Sequence, residues 1–188
     1  MNSHELRPLL STIVIYALLV LLFTLISLFV SPAASRTGVF RQVDAIPAHL
    51  ALLAAGGVLL SLLTYAVYRR FDLNLAVLIP SVVILTDLDH LPSALGIAQS
   101  VRPAHSILLV GVAFVVVATI IRRLDFSFAV MAGFFAHVGI DTGIFAPFSP
   151  LSFTYYTITD YRWGFLGLAV VSALAAGYLA KRRTFVVK

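Results

Sequence analysis

From Leu9 to Val30 the chain runs for 22 residues without a charged side chain. As a helix, a run of that length crosses the roughly 30 Å hydrocarbon core of a bilayer. Five more apolar runs follow, at about 49–68, 73–90, 104–121, 126–145 and 163–180. The third is the weakest, because it is short, carries Pro80 and ends in Asp87-Leu-Asp-His; a re-entrant segment fits it as well as a full span. Composition agrees with a lipid-embedded chain. Of the 188 residues 61% are hydrophobic and 11% charged, and the mean hydropathy is +1.03. Soluble domains carry about 25% charged residues. The expected fold is therefore all-α: a polytopic helical membrane protein of about six transmembrane segments. It forms one membrane domain over 1–188, with no linker or low-complexity run to divide it.

The first run has a competing reading as a secretory signal, with Arg7 before it and Ser31-Pro-Ala-Ala-Ser35 after it. A signal core is only about 7–15 residues, so an uncleaved anchor is expected. The basic residues then orient the spans. With the N-terminus inside, the inner side receives Arg7, Arg69, Arg70, Arg122, Arg123, Lys181, Arg182, Arg183 and Lys188, nine of the 13 Lys and Arg. The outer side receives Arg36, Arg41, Arg102 and Arg162. An excess of Lys and Arg marks the cytoplasmic side, so both termini are expected there, in a multi-pass protein of the cell membrane. The net charge of +5 is thus read as membrane orientation, and no nucleic-acid partner is expected.

On that topology the polar residues gather at one face. His49 opens span two; Asp87, Asp89 and His90 close span three; Arg102, His105 and Ser106 open span four; His137 and Asp141 lie in the outward half of span five. Four histidines and three carboxylates thus converge on the outer leaflet, facing the extracytoplasmic side. His137 and Asp141, four apart, share a helix face, as do Asp87 and His90, three apart. Asp89 points elsewhere on an ideal helix, and Leu91-Pro92 is expected to end that helix. Unwinding there would return Asp89 to the site. Each residue has a plainer role: a His–Asp bond between helices, an interfacial turn at 87–90, polar anchoring by His49 or Arg102, an ordinary first-turn serine at 106. Ionisable residues within spans nevertheless point to function, because burying them is costly.

Imidazole and carboxylate without any cysteine suit Zn²⁺, with Mn²⁺ and Fe²⁺ as alternatives. The seven candidates (His49, Asp87, Asp89, His90, His105, His137 and Asp141) exceed the four ligands of one structural zinc. Two or more ions bind, or some of these residues orient the ligands. Such an ion lowers the pKa of water toward about 7 and polarises a phosphoryl or acyl oxygen, which is hydrolytic chemistry. A guanidinium such as Arg102 can clamp phosphate through two hydrogen bonds.

Four stretches carry a family likeness: Ile84-Leu-Thr-Asp-Leu-Asp-His90, Arg102-Pro-Ala-His-Ser106, Gly133-Phe-Phe-Ala-His-Val-Gly-Ile-Asp141 and Gly143-Ile-Phe-Ala-Pro-Phe-Ser-Pro150. Their order and spacing resemble the YdjM-like family of membrane-bound metal-dependent hydrolases. That family has a Pro-Asp-x-Asp-His element, a His-Arg-x-x-Thr-His-Ser element, and a Gly-x-x-x-His-x-x-x-Asp helix followed by a Gly/Pro-rich turn. An earlier family histidine matches His49. The likeness covers roughly 49–150; the anchor and outer loop (1–48) and the last span and tail (151–188) lie outside it. Thr86 stands where the family usually has Pro. Val101 replaces the first His of the His-Arg pair, removing one potential ligand or proton donor. The family is distantly similar in turn to zinc phospholipase C and P1-type nucleases, which implies phosphoester cleavage.

Two classes of function follow. One is a metal-dependent hydrolase acting on a phospholipid or other lipid-phosphate at the outer leaflet. There His49, Asp89, His105, His137 and Asp141 lead as ligands, Asp87 and His90 serve as ligands or acid/base groups, and Arg102 clamps phosphate. The other is a non-catalytic membrane protein whose cluster binds metal structurally or staples helices. A transporter ranks below both, for want of intramembrane charge in the inner half.

Overall fold

The computed structural model describes residues 3–30, 46–95, 97, 102–141, 144–152, 154 and 156–186. The candidate signal-cleavage stretch at 31–35, Arg36, Arg41, Val101, Gly143 and Lys188 lie outside them. The chain is all-α, in the order α1 (Ser3–Val30), α2 (Ile46–Tyr68), α3 (Leu73–Leu85), α4 (Leu91–Ala94), α5 (Ile107–Val116), α6 (Leu124–Ile140) and α7 (Ile158–Val186). Two-residue strands β1 (Ile144–Phe145) and β2 (Tyr156–Thr157) pair antiparallel ahead of α7.

Four stretches are long and apolar enough to cross a membrane: Glu5–Val30, Ala48–Tyr68, Leu73–His90 and Ile158–Arg183. The third of these is the segment that the sequence left open as re-entrant. The two remaining segments, Ile107–Ile121 and Leu124–Ile140, are shorter than the other four. The second of them lies inside the bundle, whereas the first exposes Ile107, Val115 and Ile120 at the surface. Along α6 nearly every residue from Asp125 to Gly139 is buried, against α7, α3, α2 and α5. Glycines set the closest approaches. A Cβ on Gly133 of α6 would stand 2.7 Å from the Val82 side chain, and one on Gly57 of α2 would stand 2.7 Å from the Pro80 backbone of α3. Close packing at small residues is what joins helices in lipid, where apolar burial drives nothing.

α1 shows which solvent the outside meets. Leu9, Thr12, Tyr16, Val20, Phe23 and Ser27 face inward and are buried, while Leu10, Val14, Leu18, Leu22, Leu25 and Phe29 face outward. The polar members are inside and the outer stripe is wholly apolar, the reverse of a soluble helix. The buried hydroxyls of Thr12 and Thr24 donate to the carbonyls four residues back, so they cost the helix little. The protein is built to sit in a bilayer.

The two ends of the bundle differ. At one end, α2–α3 and the α5–α6 hairpin turn on arginine pairs, with Arg69 and Arg122 in the left-handed region at φ 53° and 57°. Asp72 caps α3 by accepting from the backbone N–H groups of Asn74 and Leu75. Asn74 donates to Glu5 at 2.6 Å, Arg183 reaches both Glu5 and Asp125, and Arg123 holds Asp125 through two bonds of 2.8 and 2.6 Å. All the candidate site residues lie at the opposite end, as the spans require.

Several boundaries differ from expectation. Thr86–His90 tightens into a 3₁₀ turn where unwinding was expected, and Leu91 stays helical before Pro92. The chain continues into α4, where Pro92 sits in the first turn and its missing N–H is harmless. Span four begins at Ile107 because Ser106 caps it in extended conformation, accepting from Leu108 N–H at 3.2 Å. Its last turn, Val117–Ile121, is a π-helix. Span five ends at Ile140, so Asp141 is an extended cap residue and does not continue the helical face of His137.

Candidate metal centre

Four pieces of chain bring the site together. The 3₁₀ turn repeats every three residues, so Asp87 and His90 eclipse, and the His90 Nε2 to Asp87 Oδ1 distance is 3.4 Å. His49, one turn into α2, brings Nε2 to 3.5 Å from Asp87 Oδ2. Asp89 is fully buried, with Oδ1 3.7 Å from His90 Nε2 and its other oxygen directed deeper into the protein. There its Oδ2 accepts from Ala104 N–H at 3.1 Å and meets His105 Nδ1 at 3.2 Å. A second 3₁₀ turn, Pro103–His105, presents His105 to Asp89 on one ring nitrogen and, through Nε2, to Asp141 Oδ2 at 3.0 Å on the other. Arg102, at the start of that turn, donates to the same Asp141 oxygen.

His137 completes the floor. Its Nδ1 donates to the Val83 carbonyl at 2.7 Å, which fixes the tautomer of a neutral ring and turns the Nε2 lone pair inward. Nε2 then lies 3.0 Å from His105 Nε2 and 3.7 Å from Asp87 Oδ1. All seven candidate ligands and Arg102 therefore form one continuous cluster. His105, His137, Asp89 and Asp141 are buried at its base, while His49 and His90 stand partly exposed at its mouth.

The residues suit a cation. His105, His137 and Asp141 converge with their donor atoms within 4.8 Å of one another, and Asp87, Asp89 and His90 form a second such group. Both Asp87 oxygens are buried without a hydrogen bond, although three imidazole nitrogens stand 3.4–3.7 Å away. Those separations are long for hydrogen bonds, but two donors on one tetrahedral zinc stand about 3.3 Å apart. The buried His105, His137 and Asp141 could hold a metal ion. Asp89, bonded to the outer nitrogen of His105, has the position of a carboxylate that orients a ligand histidine.

The metal-free cluster is balanced differently. Burial alone would push the His105 imidazole down, but Asp89 and Asp141 outweigh it and raise the pKa to about 9. Burial likewise opposes the charge on Asp141, yet the His105 bond and charge, with Arg102, hold its carboxyl well below the ordinary range. His105 then bridges two carboxylates as a cation. Metal and proton compete for its Nε2.

Ser106 has a structural role here: its hydroxyl lies 2.9 and 2.8 Å from the carbonyls of Pro147 and Ser149, which pins the turn after α6. Arg102, expected to clamp substrate, is engaged with Asp141. Two further residues enter that the sequence did not single out. Arg162 on α7 donates to the Asp141 carbonyl at 3.1 Å. Tyr16 on α1 lies 2.9 Å from Thr86 Oγ1. Since that hydroxyl donates to Val82, Tyr16 is the donor to it, and the anchor helix supports the turn that carries Asp87. Neither had a local signal, because each pairing joins residues distant in sequence. Comparison of the chain with protein-family models, curated proteins and solved structures finds no match.

Proposed function

We propose that this chain is a metal-dependent hydrolase of the membrane, akin to the YdjM-like proteins, that cleaves a phosphoester of a lipid-type substrate at the outer leaflet. The observation that carries the reading is the buried convergence of His105, His137 and Asp141, with the Asp87 oxygens, buried without a hydrogen bond, beside them. His105, His137, Asp141 and Asp87 would hold the ion, and the two donor groups allow one ion or two.

 Zn²⁺ fits this donor set best, with Mn²⁺ and Fe²⁺ as alternatives. When bound, the ion supplies Lewis-acid polarisation of a phosphoryl oxygen and acidifies water. The chain's own residues do the rest. Val83 and Asp89 fix the ring orientations of His137 and His105. Arg102 holds the Asp141 carboxylate in place. His90, nearer the mouth, is placed to carry a proton to or from the substrate. The basic hairpin ends point to the cytoplasm under the positive-inside rule, which puts the site on the extracytoplasmic side.

The test is hydrolysis of bis(4-nitrophenyl) phosphate and of a short-chain glycerophospholipid by metal-loaded protein in neutral detergent. Product release that Asp141→Asn abolishes is expected; release that survives this substitution, or none from the loaded wild type, refutes the reading. A second reading has its own support. Asp89, His105, Asp141 and Arg102 form a chain of opposite charges that closes without an ion, as a helix staple would. Under that reading the same substitution lowers stability and no activity is lost.

A further inference from the structure

The first turns of α7 carry Arg162, which the sequence alone places only among the four basic residues of the outer side. Its Nη2 donates to the Asp141 carbonyl at 3.1 Å. That one bond is enough to cap the end of α6, since a basic side chain often satisfies a terminal carbonyl. The rest of the guanidinium is unexplained by capping. Nε is closed off from solvent and has no hydrogen-bond acceptor among the described residues. A buried donor without an acceptor is costly to keep. Arg102 meets the same residue through its carboxylate, so two guanidinium groups converge on Asp141 at the edge of the His/Asp cluster. Three carboxylates in that cluster would repel an anionic substrate unless nearby cations offset them.

The surroundings indicate where such a substrate lies. Tyr161 and Trp163 flank Arg162 and are exposed, Trp163 by 81%. Tyr156 packs edge-to-face on Tyr161, with ring centroids 6.1 Å apart. Exposed Tyr and Trp at a helix end mark the headgroup level of a bilayer. A planar guanidinium there matches the oxygens of a phosphate group.

We propose that Arg162 is the substrate-anion residue of this site, binding a tetrahedral phosphate group beside the His/Asp cluster. The assignment rests on the reaction centre proposed above and adds the residue that holds the phosphate of its substrate. The phosphate could belong to a lipid headgroup or be free in solution.

Equilibrium dialysis of radiolabelled inorganic phosphate against detergent-solubilised protein, metal-stripped and metal-loaded, tests it. Displacement by unlabelled phosphate and by dihexanoyl phosphatidic acid separates the two sources. Tighter competition by the lipid places the anion on a headgroup; equal or weaker competition makes it free phosphate. Either source supports the proposal when binding depends on Arg162. Arg162→Gln is expected to weaken phosphate binding about tenfold or more. Arg162→Lys keeps a donor for the Asp141 carbonyl, so it should restore thermal stability without restoring phosphate affinity. Metal counted in the same samples separates the two readings, since a metal-free wild type removes the hydrolase while leaving the phosphate result intact. Wild-type affinity in either variant, or no binding of either probe by the wild type, overturns the assignment and leaves Arg162 as a cap on α6.

Discussion

Asparagine at position 141 keeps the volume of the aspartate and one acceptor oxygen but removes the charge. In the structure Asp141 Oδ2 meets His105 Nε2 at 3.0 Å and also accepts from Arg102. Each bond to a charged group is worth about 1.5–3 kcal/mol, and a neutral acceptor keeps roughly half of it. Metal-free Asp141→Asn should therefore lose about 1.5–3 kcal/mol of stability for the two bonds together. Metal binding should suffer more. Losing a group that merely orients a ligand costs about 10–100-fold in affinity, so losing a direct ligand should cost at least about 100-fold. Competition with a chromophoric chelator measures the second effect, and thermal unfolding in EDTA measures the first. Unchanged metal affinity in Asp141→Asn, with only the stability loss, would refute the assignment of Asp141 as a ligand.

Asp87→Asn should separate metal binding from stability in the opposite way. Its oxygens lack hydrogen bonds in the metal-free fold, so the change should leave EDTA-treated protein as stable or up to about 1 kcal/mol more stable, while lowering metal content. A destabilised, fully metal-loaded variant contradicts this. The metal-free protein should also be pH-sensitive. His105 has a folded pKa of about 9 against 6.5 unfolded, so its contribution is complete below about pH 6.5 and fades as pH rises through about 9. Unfolding temperatures in EDTA should fall across that window, and a flat profile would count against the His105 bridge. Reporter fusions at 69–72 and 122–125 should both read cytoplasm; an external signal from 122–125 would reverse the proposed orientation.

Much of this arrangement could be read from residue order. Long runs without charge fix helices in lipid, and the arginine pairs at 69–70 and 122–123 mark hairpin turns. Once the spans alternate, His49, Asp87–His90, His105 and His137–Asp141 must fall at one end. Local geometry was harder to read. The tightened turn at Thr86–His90 depends on tertiary contacts to Tyr16 and the Pro103–His105 turn, and it is the 3₁₀ winding that sends Asp89 inward toward His105. The helix of span five stops at Ile140, and Ser106, just before span four, pins the turn after it to the carbonyls of Pro147 and Ser149. Arg162 and Tyr16 were invisible because their partners are distant in sequence and carry no shared motif. The α5 and α6 segments are shorter than the other four apolar stretches, and the burial of α6 inside the bundle was not legible in hydropathy, which reports apolar character alone.

The central claim is that a metal ion occupies the cluster around His105, His137 and Asp141. Elemental analysis by mass spectrometry of protein purified without chelator tests it most directly, with Asp141→Asn purified alongside. The account predicts at least one equivalent of a divalent transition metal, zinc before manganese or iron, in the wild type and a large loss in the variant. A wild type that carries no metal and takes up none on addition of Zn²⁺, Mn²⁺ or Fe²⁺ would contradict it and leave the cluster as a charge-balanced helix staple.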